Sequence, residues 1–231
     1  MKKLILASTS TLHGQSYLEY LLPVLKDHFT DEILFVPYAR PGGVTYDEYT
    51  AIVKKHFKKI SISVKGIHEF ENPIEAVQKA KGIFIGGGNT FELVNQLYKN
   101  DLLESIRTFV NSGTPYLGTS AGSNVAGISM QTTNDMPVVY PPSFETLALI
   151  PYNLNPHFVP ADPNSKHMGE TRETRIKEFH IYNDIPVIGL KEGSWLEVNG
   201  GTIVLKGELE TVLFEKGKDQ QLIPSGTELK I

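Results

Sequence analysis

Blocks of apolar residues alternate with amphipathic stretches through the first half of the chain. Short runs rich in β-branched and large apolar residues stand at Leu4 to Leu6, Ile33 to Val36, Ile62 to Ile67, Ile83 to Ile85 and Tyr116 to Leu117. The segments between them, Ser16 to Phe29, Asp47 to Phe57, Pro73 to Ala80, Phe91 to Tyr98 and Leu102 to Val110, are predicted helices. Asn72-Pro73 marks one helix start, with Asn as the cap and Pro at the first position, where a missing N–H leaves nothing unpaired. Strands separated by helices imply βαβ units and a largely parallel sheet.

The pattern changes from Met136 to Pro163, where prolines at 137, 141, 142, 151, 156, 160 and 163 exclude most regular structure. Gly169 to Asn183 then predicts a helix and Val187 to Leu190 a strand. Beyond it the alternation is hairpin-like: Trp195 to Val198, the turn Asn199-Gly200-Gly201, Thr202 to Leu205, then short strands around Val212 to Phe214 and Leu222. The expected architecture is one α/β domain over residues 1–231, a three-layer sandwich around a mostly parallel sheet, with a small C-terminal antiparallel appendage on that one sheet.

Composition narrows the function classes. Of 231 residues, 40% are hydrophobic and 21% charged, ordinary globular usage that supports neither disorder nor a fibrous chain. A net charge of −4 argues against nucleic acid as a partner, because phosphate contacts call for a basic patch. No stretch approaches the ~20 apolar residues of a membrane span. The apolar run after Met1-Lys-Lys ends after four residues, short of the ~7 to 15 of a secretory core, and reads as a first strand. The chain contains no cysteine, so the expected location is the cytoplasm and thiolate, redox-pair and Cys–metal chemistry are excluded. Covalent catalysis here must use oxygen or nitrogen.

Gly118-Thr119-Ser120-Ala121-Gly122 matches G-x-S-x-G, after the strand at Tyr116 and before the small residues Ser123 to Ala126. A nucleophile elbow needs this pattern: a strained backbone at the serine and no side chains beside it. The amide of Ala121 would then face an oxyanion. A turn that merely caps a helix shows the same letters, and the strand context favours the nucleophile. A second cluster, Gly86-Gly87-Gly88-Asn89-Thr90, follows the strand at Ile83. It lacks the Lys of a P-loop and fails G-x-G-x-x-G at Phe91, so a second oxyanion amide is the better reading than nucleotide binding, with a plain strand-to-helix turn equally open.

Seven histidines compete as the base. His28, His56, His68 and His180 read as solvated, and His13 and His167 lie in polar loops. His157, in Asn155-Pro156-His157-Phe158, sits where a proline-rich loop can hold an imidazole over a site. Two acids compete to orient it. Asp135, in Thr132-Thr133-Asn134-Asp135-Met136-Pro137, gives the chain order Ser, Asp, His; Glu192 lies just beyond the strand Val187 to Leu190, where sites of parallel sheets cluster. Glu192 is favoured, with Asp135 kept as the alternative acid or a substrate contact.

Together these blocks, with Gly169-Glu170-Thr171-Arg172-Glu173 and the opening Ser8-Thr9-Ser10-Thr11-Leu12, resemble peptidase E, the α-aspartyl dipeptidases of serine peptidase family S51. The resemblance runs from Ser8 to the Trp195 region. It implies a flavodoxin-like fold related to class I glutamine amidotransferases, and cleavage of dipeptides with an N-terminal aspartate. It also implies Ser120 as nucleophile, His157 as base, the amides of Gly88 and Ala121 as oxyanion donors, and Arg172, Asn89 and Thr90 as substrate-binding residues. No metal or organic cofactor is implied, and the expected state is a monomer or homodimer. Ser123 stands where the family pattern leads one to expect Ala, and Ser194 where it leads one to expect Asn. Only four arginines occur, at 40, 107, 172 and 175; the last two, one helical turn apart after His157, suit an acidic substrate because a guanidinium grips a carboxylate bidentately. Rival readings are a cyanophycinase-like peptidase, a non-catalytic small-ligand binding module on the same fold and, more remotely, an α/β-hydrolase esterase.

Overall fold

In the computed structural model the described residues are all but Pro163, Ser165, His167, Lys230 and Ile231. The chain forms β1 (Lys3–Ala7), α1 (Leu22–His28), β2 (Ile33–Val36), α2 (Tyr46–Phe57), β3 (Val64–Gly66), α3 (Pro73–Lys79), β4 (Ile83–Ile85), α4 (Thr90–Lys99), α5 (Leu102–Ser112) and β5 (Tyr116–Thr119). It continues through α6 (Ala121–Asn124), β6 (Asn153–Pro156), α7 (Arg172–Tyr182), β7 (Val187–Leu190), β8 (Trp195–Asn199), β9 (Thr202–Lys206), β10 (Thr211–Phe214), β11 (Gln221–Ile223) and β12 (Glu228–Leu229).

The main sheet has the order β12-β9-β8-β1-β5-β4-β2-β3. Pairing is parallel from β1 through β3 and antiparallel from β1 outward through β8, β9 and β12. Its central strands are covered on both faces, and the period-two rule divides their side chains between two cores. Leu4, Leu6, Ile83, Ile85 and Tyr116 face α3 to α6 and the second sheet; Ile5, Ala7, Phe35, Phe84 and Leu117 face α1 and α2. Helix starts follow from their caps. Thr45 and Glu48 form a reciprocal capping box at α2, and Asn72 accepts from the Glu75 amide ahead of Pro73 in α3, each cap contributing about 1 kcal/mol.

Several segments depart from the sequence pattern for identifiable reasons. The predicted helix Ser16 to Phe29 begins only at Leu22, because Pro23 has no N–H to continue a helix begun upstream; the segment before it turns through Leu18 at φ 56°. The run Ile62 to Ile67 pairs only over Val64–Gly66, and Ile67 enters a 3-10 turn. Inside the proline-rich segment lies a strand, β6, that proline composition concealed. Its parallel pairing with β7 ends with Pro156 opposite Leu190, so Pro156 sits at the strand end, where its absent N–H does least harm.

The C-terminal strands also do not form one appendage. Hairpin β8–β9 extends the main sheet beside β1, whereas β10 and β11 join β7 and β6 in a second, four-stranded sheet. Leu154, Ile188 and Leu190 of that sheet enter the large core, and α7 closes its other face through Ile176 against Val187, Val212 and Phe214. The chain passes from the small sheet to the large one at the turn Lys191 to Ser194, closed by Ser194 N donating to Lys191 O at 3.1 Å.

Candidate active site

Ser120 occupies the step from β5 into α6 with φ 53° and ψ −113°, a conformation that costs a non-glycine residue roughly 1–3 kcal/mol. Its surroundings enforce that geometry. Ser120 N donates to Ala7 O at 3.1 Å, and the buried Ser123 hydroxyl lies 2.6 Å from Ala7 O and 2.8 Å from Gly118 O, tying the ends of β1 and β5 together. The serine found at 123 therefore holds the elbow. Gly122 is required by close approach, since a Cβ there would stand 2.0 Å from Ile85 O.

His157 follows the last residue of β6 and is likewise left-handed, at φ 55°. Its amide donates to Ser8 Oγ at 2.8 Å, and that hydroxyl in turn donates to Leu190 O at 2.7 Å. One serine at the end of β1 thus clamps the exits of β6 and β7. Because Pro156 and Leu190 are register partners, the residues beyond them emerge side by side, and the turn after β7 carries Glu192 to the imidazole. His157 Nδ1 lies 2.6 Å from Glu192 Oε1 and Nε2 lies 2.9 Å from Ser120 Oγ. A carboxylate on Nδ1 places the proton there and leaves Nε2 to accept from the serine hydroxyl. The Glu192 charge is also felt by Tyr20, whose phenol burial and that charge push upward in pKa.

Asp135 does not meet the imidazole. Its Oδ2 accepts from Thr90 N at 2.7 Å, Thr90 Oγ1 at 2.6 Å and Thr133 Oγ1 at 3.2 Å, which seats the carboxylate at the N-terminus of α4. Of the two acids weighed from sequence, Glu192 is the one brought to His157, and Asp135 lines the pocket across from it. Asn89 is held within the fold. Its Oδ1 caps α4 through Glu92 N at 3.0 Å and its Nδ2 donates to Met136 O at 2.9 Å, so both ends of the carboxamide are engaged in holding loops. Thr90 lines the pocket while holding Asp135.

The pocket over Ser120 measures about 290 Å³ and includes Thr90, Ala121, Asn124, Asp135, His157 and Arg172. Arg172 begins α7, half-buried, and its pKa is lowered by burial and by nearby Arg175, against the opposing charge of Asp135. Among the described residues the Gly88 and Ala121 amides have no hydrogen-bond acceptor, so both are available to a developing oxyanion. Gly88 has φ +149°, and a Cβ would stand 2.1 Å from Ala39 O; the neighbouring Asn89 amide donates to that same carbonyl at 2.7 Å, which holds the glycine loop against the residues after β2.

Other histidines are arranged differently from expectation. His180 is buried and bonds to Ile185 O, and His28 is half-buried against Tyr116 O. Both sit on helix faces whose polar flanks disguised them. His167 lies outside the described residues. Ser8, Thr133 and Asn124 contribute to the site although no role for them is read from the sequence; Ser8 and Thr133 stand inside the motif blocks, Asn124 in none. Asn124 Nδ2 donates to Leu154 O at 2.7 Å and ties α6 to β6. Among the described residues no three His, Cys, Asp or Glu side chains are grouped to hold a metal ion, and no helix is long and apolar enough to cross a membrane.

A family model described as peptidase family S51 matches residues 4–206. A peptidase E of Streptomyces coelicolor is 45% identical over 228 residues, covering 98% of this chain and 93% of that protein. A Drosophila melanogaster protein named "Probable alpha-aspartyl dipeptidase" is 44% identical over 229 residues, covering 96% and 94%. The crystal structure of a peptidase from an acI-B1 Actinobacterium shares the fold with a TM-score of 0.75 at 18% identity, covering 100% of this chain and 97% of that one.

Proposed function

The chain belongs to peptidase family S51 and is a serine peptidase, and on that premise we propose that it is a dipeptidase that releases N-terminal aspartate through an acyl-enzyme on Ser120. The observation that carries the assignment of roles is the unbroken line Ser120 Oγ, His157, Glu192, with heavy-atom separations of 2.9 and 2.6 Å. Ser120 attacks the scissile carbonyl while His157 Nε2 takes the hydroxyl proton, and Glu192 stabilises the imidazolium that results. The Gly88 and Ala121 amides receive the oxyanion. Collapse of the tetrahedral intermediate breaks the C–N bond, with the proton on His157 passing to the leaving amine. Water then attacks the acyl carbon as His157 takes its proton, and cleavage of the C–Oγ bond, with that proton passing from His157 to Ser120 Oγ, releases aspartate and the free serine.

Arg172 is the cation available for the substrate's β-carboxylate, and Asp135 is the anion available for its α-ammonium, so an N-terminal aspartate presents both complementary charges to one small pocket. The name of the Drosophila relative, "Probable alpha-aspartyl dipeptidase", favours the same substrate. A pocket of about 290 Å³ suits one aspartyl residue better than a polyaspartate backbone bearing arginines.

The direct test is Ser120→Ala assayed on Asp-Leu. Turnover should fall by roughly 10⁴-fold or more while the melting temperature holds; normal turnover would sink the reading. Arg172→Ala should collapse the preference for Asp-Leu over Asn-Leu, and equal losses on both would remove Arg172 from substrate recognition.

A further inference from the structure

The peptide unit joining Gly87 to Gly88 carries one of the two oxyanion donors, the Gly88 N–H. The loop is anchored on either side of it: Gly86 N donates to Val36 O at 3.2 Å and Asn89 N to Ala39 O at 2.7 Å. Between those anchors, a peptide unit with a glycine at each end can flip at little steric cost, since neither residue has a Cβ to restrict it. A flip would turn the N–H away from the oxyanion and present a carbonyl oxygen instead, which repels the developing charge.

The group that opposes this flip is Tyr49. Its hydroxyl, reaching from α2, donates to Gly87 O at 3.3 Å inside the protein. A trans peptide is planar, so the C=O of Gly87 and the N–H of Gly88 point in opposite directions. Holding the carbonyl toward α2 therefore aims the N–H away from α2. Tyr49 belongs to the core on the α1–α2 face of the sheet, and Ala121, whose amide is the second oxyanion donor, belongs to the core on the other face. The missing side chains show what the loop lies between: a Cβ on Gly86 would stand 2.6 Å from Tyr49 Oη, and one on Gly87 would stand 2.9 Å from Ser120 Cβ.

The phenol has little freedom of its own. Its buried ring meets Phe35 edge-to-face with centroids 4.9 Å apart, the Arg40 guanidinium lies 4.8 Å from its centroid, and Tyr17 Oη stands 3.4 Å from its hydroxyl. With the Tyr49 proton given to Gly87 O, Tyr17 is the donor in that last contact. Burial, and then Tyr49, push the Tyr17 pKa well upward, which keeps that proton in place. None of Tyr17, Arg40 and Tyr49 lines the pocket over Ser120.

We propose that Tyr49 is a positioning residue for the oxyanion hole: its hydroxyl fixes the Gly87–Gly88 peptide so that the Gly88 amide stays directed at the tetrahedral intermediate, with Tyr17 and Arg40 holding the phenol. The proposal rests on the acyl-enzyme reading and deepens it.

Tyr49→Phe tests it, because the substitution keeps the ring contacts and removes the one hydroxyl. For Asp-Leu, kcat should fall roughly five- to fiftyfold while KM changes less than about twofold, since the lost alignment serves the transition state and not the bound substrate. Two inhibitors separate this role from a structural one: the α-aldehyde of aspartate, whose adduct with Ser120 places an oxygen in the hole, and aspartate itself, which forms no adduct. Aldehyde binding should weaken by the same factor as kcat/KM, and aspartate binding should stay within about twofold. Both affinities are read on folded protein, so a loss of stability alone moves neither. An unchanged kcat, or equal weakening of aldehyde and aspartate, would overturn the assignment to Tyr49 while leaving the dipeptidase standing. A wild-type protein that cleaves no Asp-dipeptide, or Ser120→Ala that retains turnover, would instead overturn the acyl-enzyme reading, and the Tyr49 assignment with it.

Discussion

The two sheets equip the site in opposite ways. The large sheet delivers Ser120 and the glycine loop from strands buried on both faces, and the elbow's shape is locked by close contacts to adjoining strands: Ser120 N to Ala7 O, the Ser123 hydroxyl to Ala7 O and Gly118 O, Gly122 against Ile85. The small sheet delivers His157 and Glu192 from two strand exits, and these side chains are 38% and 55% exposed. Their geometry depends on the β6–β7 register and on Ser8, which reaches across from the large sheet. The nucleophile is thus positioned by a strained turn packed against neighbouring strands of one sheet, the base and its acid by the register of two strand exits and a link between the sheets. Tight packing suits a serine that must hold a strained backbone. An imidazole that must give and take protons sits in the more open arrangement.

The contrast can be broken from either side. On the small sheet, Glu192→Gln keeps the shape but removes the charge behind the imidazolium and permits the wrong tautomer, so kcat should fall by about 10² to 10⁴ with little change in KM; pre-steady-state acylation kinetics read it. Asp135→Asn should leave acylation of bound substrate far less affected, and an equal defect in kcat would reinstate Asp135 as the acid. On the large sheet, Gly122→Ala drives a methyl group into Ile85 O and should cost roughly 1–3 kcal/mol of stability, lowering melting temperature and activity together. An unchanged melting temperature would mean that the elbow is less tightly packed than its contacts indicate.

The junction gives a smaller effect. Ser8→Ala leaves the His157 amide without its acceptor, while the Leu190 carbonyl keeps the Phe158 amide as a donor, and should cost about 1–3 kcal/mol. Because His157 then loses its fixed backbone, kcat should drop roughly tenfold, and Ser8→Thr should restore part of it. The smallest effect concerns acid. Burial, the dominant cause, lowers the His28 pKa to about 4, against an unfolded value of about 6.5. Between those values the unfolded chain binds a proton that the folded chain does not, so this contribution is complete above about pH 6.5 and is lost as pH falls toward about 4. The difference in melting temperature between pH 7 and pH 5 should shrink in His28→Gln; an identical pH response in both proteins would exclude His28 as its source.

Much of the large sheet was readable along the chain, because continuous apolar runs and capped helices are local signals. Ser120 was readable for the same reason, its flanking glycines being a direct consequence of contacts within a few residues and one neighbouring strand. The small sheet was not. Pro156 reads as a breaker although it ends a strand, and β7 gives no sign that it leaves the main sheet. Its place beyond a strand favours Glu192 over Asp135 in a linear string, but only the β6–β7 register carries it to the imidazole. That Asn89 also caps α4 and Thr90 also seats Asp135 shows only once the glycine loop and the Asp135 loop are brought together. His28 and His180 lie among charged neighbours in sequence, yet their rings turn inward to backbone carbonyls.

By itself, then, the sequence determined an α/β sheet with a serine elbow and no thiol chemistry, since periodicity, glycine spacing and residue inventory are properties of short stretches. Which carboxylate stands behind His157, and that Ser8 joins two sheets, were decided only by tertiary structure. These depend on strand register and on the point where the chain crosses between sheets, and such long-range packing leaves no local pattern in the residues that it brings together.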